Sequence, residues 1–89
     1  MKKQLSPLFF KKLKNVDVRI CKSFYQKIAI FEKNPLESSL NNHALKEPYD
    51  GFRSIDITND YRAIYEEVSS GNATVAYFFL LGAHAELYG

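Results

Sequence analysis

Two histidines and two arginines carry most of the chemistry this sequence could perform. His84 closes the run Leu81-Gly82-Ala83-His84, at the expected end of a strand and beside a glycine that lets other backbone or a ligand approach closely. An imidazole there can give or take a proton near neutral pH, the requirement for general acid–base work; it can equally serve only as a turn-capping residue. His43, in the preceding connector, is a second and weaker candidate. Arg53 and Arg62 are the only arginines beyond residue 33, and both fall on expected strands in acidic surroundings. A guanidinium on a rigid strand suits bidentate phosphate recognition, whereas Asp56, expected opposite Arg62 across a short turn, could simply neutralise it. Tyr61, Tyr65 and Tyr88 could stack on an unpaired base, although most of the 13 Phe and Tyr residues are needed for a core. Neither histidine has a second His, Cys or carboxylate at ligand spacing on one element, so no metal is expected, and Cys21 reads as a small buried hydrophobe.

The elements that must hold these groups can be read from local signals. Ser6-Pro7 supplies a capping hydroxyl followed by a proline at the first helical position, which predicts a short amphipathic helix through Leu8, Phe9 and Leu13. Asp17 then caps a longer helix whose Ile20, Phe24, Ile28 and Phe31 recur every three or four residues until Asn34-Pro35 ends it. Residues 35–51 form an irregular connector with one helical turn around Glu37–Asn41. Phe52–Ile57, Tyr61–Val68 and Thr74–Leu81 are rich in β-branched and aromatic residues and are separated by turn-forming clusters, which predicts an antiparallel meander. The last of these is apolar on both faces and is expected to be the middle strand, with Lys2–Leu5 as an edge strand. The fold class is therefore α+β, a single β-α-α-β-β-β domain with an antiparallel sheet and a helical hairpin on one face.

Composition bounds the function. Eighty-nine residues make one small domain over residues 1–89, and 46% hydrophobic residues exclude disorder as the default state. One cysteine excludes a disulfide-stapled scaffold. No apolar run reaches the ~20 residues of a membrane helix, and the lysine-flanked N-terminus, broken by Ser6-Pro7, does not read as a signal peptide, so a cytoplasmic protein with no membrane partner is expected. The net charge of +2 conceals a division: residues 1–33 carry nine basic groups against two acidic ones, and residues 34–89 carry three against eight. A basic half-domain is the footprint of a polyanion binder, or of a solvated lysine face.

The stretches His43-Ala-Leu-Lys46, Gly51-Phe-Arg-Ser-Ile-Asp-Ile57, Asp60-Tyr-Arg-Ala-Ile-Tyr65 and Gly82-Ala-His-Ala-Glu-Leu-Tyr88 resemble the RelE/ParE superfamily of bacterial toxins, most closely its YafQ-like branch. The resemblance implies a microbial-RNase-like domain that uses no metal or other cofactor, enters the ribosomal A site against 16S rRNA, and cuts mRNA by attack of a ribose 2′-OH on the adjacent phosphate. It also implies a cognate antitoxin. Carried over by position, His84 is the general acid, His43 assists proton transfer, Asp60 is an acidic residue of the site and Arg62 stabilises the phosphorane. Tyr88, Tyr61, Arg53 and Lys46 would hold the substrate. Asp56 and Leu80 depart from the branch, which has a histidine and an arginine at those places. Two further readings stay open: a ParE-like toxin that inhibits a topoisomerase by binding, and a catalytically decayed relative that only binds antitoxin or RNA.

Overall fold

A computed structural model describes Met1–Tyr88. The chain runs β1 (Lys2–Leu5), α1 (Pro7–Asn15), α2 (Val18–Lys33), a 3₁₀ turn (Ser38–Leu40), β2 (His43–Ala44), β3 (Arg53–Asp56), β4 (Tyr61–Ser70), β5 (Ala73–Ala83) and α3 (His84–Tyr88). Both long helices start as their caps dictate. Ser6 Oγ accepts from the Phe9 amide at 3.0 Å, and Asp17 Oδ1 accepts from the Arg19 amide at 2.8 Å. The Arg19 guanidinium, then the same amide, hold the Asp17 carboxyl below its ordinary value.

The sheet has the order β1-β5-β4-β3-β2. Its last four strands are antiparallel neighbours, but β1 pairs with β5 in parallel, with Lys2 opposite Val75 and Leu5 opposite Phe78, so the sheet is mixed rather than wholly antiparallel. Strand direction is not written into a local hydrophobic pattern; here the helical hairpin carries the chain away from β1, which joins the sheet along the free side of β5. The middle strand is β4, not β5, because β1 and the two-residue β2 extend the sheet at opposite ends. Too short to have a period, β2 and α3 escape pattern reading.

The hairpin covers one face. Phe9, Leu13, Phe24, Ile28 and Phe31 from the helices meet Ile55, Ala63, Tyr65, Ala76 and Phe78 from the sheet in one buried cluster. At its centre, Phe78 lies 5.7 Å from Phe9, 5.3 Å from Phe31 and 5.0 Å from Tyr65, ring centre to ring centre, in the tilted and edge-on arrangements that aromatic quadrupoles favour. Cys21 packs against this cluster partly buried.

The opposite face is covered by a different device. Ser54 and Ile64 pair with each other across β3 and β4 and are fully buried, although they alternate away from the helical core. The connector and α3 fold over this side. Leu45 N–H donates to the Phe52 carbonyl at 2.9 Å, the Glu47–Pro48 peptide is cis, and Tyr49 Oη donates to the Leu87 carbonyl at 2.9 Å. The β4–β5 register shifts between Ile64 and Tyr65, leaving Phe79 as an extra residue. Such bulges bend a strand and re-aim its continuation; beyond this one lie Arg62, Gly82 and His84.

Candidate active site

An open cleft of about 420 Å³ lies where the connector, β4 and α3 converge, lined by Asn41, His43, Leu45, Lys46, Glu47, Tyr49, Arg62, His84 and Tyr88. Each is set by backbone that has its own reason for being there. Asn41 ends the 3₁₀ turn in the left-handed region (φ 48°, ψ 46°), which Asn tolerates better than most residues. Its carbonyl lies 2.8 Å from His43 Nδ1. A carbonyl only accepts, so Nδ1 carries the proton and the neutral ring presents Nε2 as its acceptor.

His84 is placed from two sides. Its backbone N–H donates to the Asp60 carbonyl at 2.9 Å, tying the first residue of α3 to the β3–β4 turn. Its ring lies 4.7 Å from that of Tyr88, four residues on, and Tyr88 in turn meets Tyr49 edge-on at 5.8 Å. Glu86 closes the helix start as the N3 residue of a capping box does, with Oε1 accepting from Ala83 N–H at 2.8 Å. Oε2 accepts from Lys12 Nζ at 2.8 Å. The Lys12 ammonium first, and the Ala83 amide second, hold the Glu86 carboxyl below its ordinary value. Gly82 lets α3 turn back this sharply: a Cβ there would lie 3.2 Å from Leu87 Cδ2 and 3.3 Å from Leu87 Cγ.

Arg62 reaches the cleft already engaged. In register opposite Asp56, its Nε lies 3.0 Å from Asp56 Oδ1, while Nη1 donates to the carbonyls of Thr58 at 2.9 Å and Tyr61 at 3.1 Å. The contact with Asp56 is an ion pair by distance and not an aligned hydrogen bond, for the buried Oδ1 accepts none. The cross-strand pair expected from the turn is thus present, and it coexists with a place on the cleft wall.

Of the residues singled out by sequence, His43, Lys46, Arg62, His84 and Tyr88 are brought together in this cleft. Asp60, Tyr61 and Arg53 are not. Asp60 contributes its carbonyl beneath His84 and is otherwise exposed; Tyr61 packs against the core and supplies its carbonyl to Arg62. Arg53 Nε donates to Asn42 Oδ1 at 2.8 Å, and Arg53 lines a separate cleft of about 380 Å³ with Asp50, Phe52 and Glu67. The reason is alternation: Arg53 pairs with the core residue Tyr65, and so belongs to the other face from Arg62. Asn41, Leu45, Glu47 and Tyr49 were missed. The one sequence signal for them was turn chemistry, an Asn pair before β2 and the Pro48 to Gly51 turn, which marks a loop without saying what it covers.

The order of elements and the mixed five-stranded sheet match the fold of solved RelE/ParE-type toxins. No protein-family model matches the chain, and no curated protein sequence matches it. Solved structures do. A YoeB/ParE toxin from Agrobacterium tumefaciens superposes with a TM-score of 0.74 at 20% identity, covering 94% of this chain and 99% of that one. YafQ from E. coli gives a TM-score of 0.68 at 22% identity, with 99% and 98% covered, and YafQ is also known in the DinJ–YafQ toxin–antitoxin complex. The RelBE2 toxin–antitoxin complex from Mycobacterium tuberculosis gives 0.72 at 14% identity, with 93% and 96% covered. Among the described residues no helix is long and apolar enough to cross a membrane.

Proposed function

We propose that this chain is the toxin of a type II toxin–antitoxin pair and cleaves mRNA on the ribosome, inhibiting translation. The observation that carries the reading is the convergence of two histidines, an arginine, a lysine and two tyrosines on one cleft. His43 Nε2 takes the proton of a ribose 2′-OH, whose oxygen attacks the adjacent phosphorus. His84, protonated, gives its proton to the departing 5′ oxygen, so a 2′,3′-cyclic phosphate and a 5′-OH result and the pair of imidazoles exchanges one proton overall. Arg62 and Lys46 supply positive charge where the phosphorane becomes more negative, and Tyr88 offers a ring face to a base. The lysines of residues 1–33 provide the attraction to ribosomal RNA, and the same uncovered charge favours an acidic antitoxin segment as partner. The toxin–antitoxin complexes of structurally similar proteins support that partner.

Two cleft histidines favour this enzyme over a topoisomerase inhibitor acting by binding alone. A binder without catalysis is the second reading, favoured by the engagement of Arg62 with Asp56 and by Leu80, which offers no charge on the neighbouring strand. Cell-free translation of a reporter message, with 5′ ends mapped by primer extension, separates them. New ends that require ribosomes and vanish with His84→Ala are expected; unaltered messages and unimpaired translation would refute the proposal.

A further inference from the structure

We infer that Asp56 sets how strongly the cleft holds a phosphodiester, by occupying Arg62 from behind. The inference rests on the ribonuclease reading of the same cleft and adds to it a residue that determines substrate affinity. Asp56 does not line the cleft, yet it touches two residues that do. Its Oδ1 sits 3.0 Å from Arg62 Nε, and its Oδ2 accepts from Asn41 Nδ2 at 3.4 Å. Asn41 in turn holds His43. With Nε facing Asp56 and Nη1 spent on two carbonyls, Nη2 is the nitrogen of this guanidinium that carries no bond to the described residues. A phosphate oxygen therefore meets one NH₂ group of a half-compensated cation instead of a bidentate fork.

The pair is shielded, with side-chain exposures of 18% for Arg62 and 26% for Asp56, so solvent does little to screen it. Oδ1 nevertheless accepts no hydrogen bond, although a pair serving stability alone would gain from an aligned one. The carboxylate acts on Arg62 through its charge, which lowers the attraction of the cleft for a single phosphate. RNA is then held firmly only where the lysine-rich helices are engaged as well.

The test is binding of a short fluorescent RNA carrying 2′-O-methyl groups, which has no nucleophile and cannot be cut. Anisotropy titrations compare the intact protein with Asp56→Asn, Asp56→Ala, Arg62→Gln and the Asp56→Asn/Arg62→Gln pair at several salt concentrations, after circular dichroism has verified folding. Both Asp56 variants are expected to bind on the order of ten-fold more tightly at low salt. The slope of log K against log salt should steepen by about 0.7, the increment for one more neutralised phosphate on a single strand. The double variant should bind like Arg62→Gln. Unchanged affinity and slope in both Asp56 variants, or tightening that survives the loss of Arg62, would overturn the inference. Absence of binding by every variant would overturn it together with the ribonuclease reading. Tighter binding by Asp56→Asn without any cleavage by the parent protein would uphold the inference and remove the reading instead.

Discussion

Replacing Gly82 by alanine should loosen the cleft without dismantling the core. The added Cβ would stand 3.2 and 3.3 Å from two Leu87 side-chain carbons, closer than ordinary van der Waals contact, so Leu87 must give by a few tenths of an ångström and a strain of up to about 1–3 kcal/mol is expected. Leu87 gives way by lifting with α3. What holds α3 down is two hydrogen bonds, Tyr49 Oη to the Leu87 carbonyl and His84 N–H to the Asp60 carbonyl, about 1 kcal/mol each, and half-burial of Leu87, about 1 kcal/mol more; the solvent-exposed Lys12–Glu86 pair adds little. An anchorage of about 3 kcal/mol keeps the docked form about 160-fold ahead of a lifted one. Strain of about 2 kcal/mol leaves about five molecules in six docked, and about 3 kcal/mol brings the two forms to parity. Since His84 and Tyr88 leave the cleft with α3, cleavage should fall by up to about two-fold, while global stability falls by no more than the anchorage, about 3 kcal/mol. Primer-extension rates and urea unfolding measure the two quantities on the same preparation. A variant that unfolds outright, or one with full cleavage and unaltered stability, would refute the reasoning, for it would show that α3 is not held by this close approach.

Three other outcomes are expected. Tyr49→Phe keeps the ring against Tyr88 but removes the bond to the Leu87 carbonyl, so it should weaken α3 docking by about 1 kcal/mol and sensitise the Gly82→Ala background, as hydrogen exchange of residues 84–88 would register. Glu86 has its carboxyl held below the ordinary 4.5, so its contribution to docking is complete above that value and is lost as pH falls through the lowered one; the Tyr88 ring signals in an NMR titration should shift in that acid range, and Glu86→Gln should abolish the shift. Phe24→Ala empties a fully buried site 5.2 Å from the Phe9 ring and should cost about 3–5 kcal/mol in denaturant unfolding, a large share of what a domain of this size possesses.

Much of the architecture was legible because it depends on local physics. Ser6-Pro7 and Asp17 cap the helices they promised, Phe24, Ile28 and Phe31 of the apolar stripe pack inward while Ile20 at its start is only half-buried, and Thr58 to Asp60 turns β3 into β4 so that Asp56 meets Arg62. What was not legible depends on distant parts of the chain meeting. The direction of β1 and the position of β4 at the centre are decided by how the sheet closes, and the folding of α3 over Gly82 by contacts with residues more than 30 positions away. The same holds for the site: His43, Lys46, Arg62, His84 and Tyr88 announced themselves by type, whereas Arg53 was separated from them by the strict alternation of β3. Asn41, Glu47 and Tyr49 sit in a connector whose composition reveals a turn but not its destination.

The parallel pairing of β1 with β5 also orders events in time. Residues 2–5 find their partners only when residues 75–78 exist, and Ser6 completes its cap with bonds to the Phe78 and Phe79 carbonyls. A chain growing from its N-terminus therefore has β1 unpaired and the Ser6 bonds to β5 unmade until β5 exists. His84 and Tyr88 come directly after that closing strand, so the native topology and the cleft are completed in one late step. Leu8 and Phe10, on the lysine-rich first helix, stay exposed even in the finished fold.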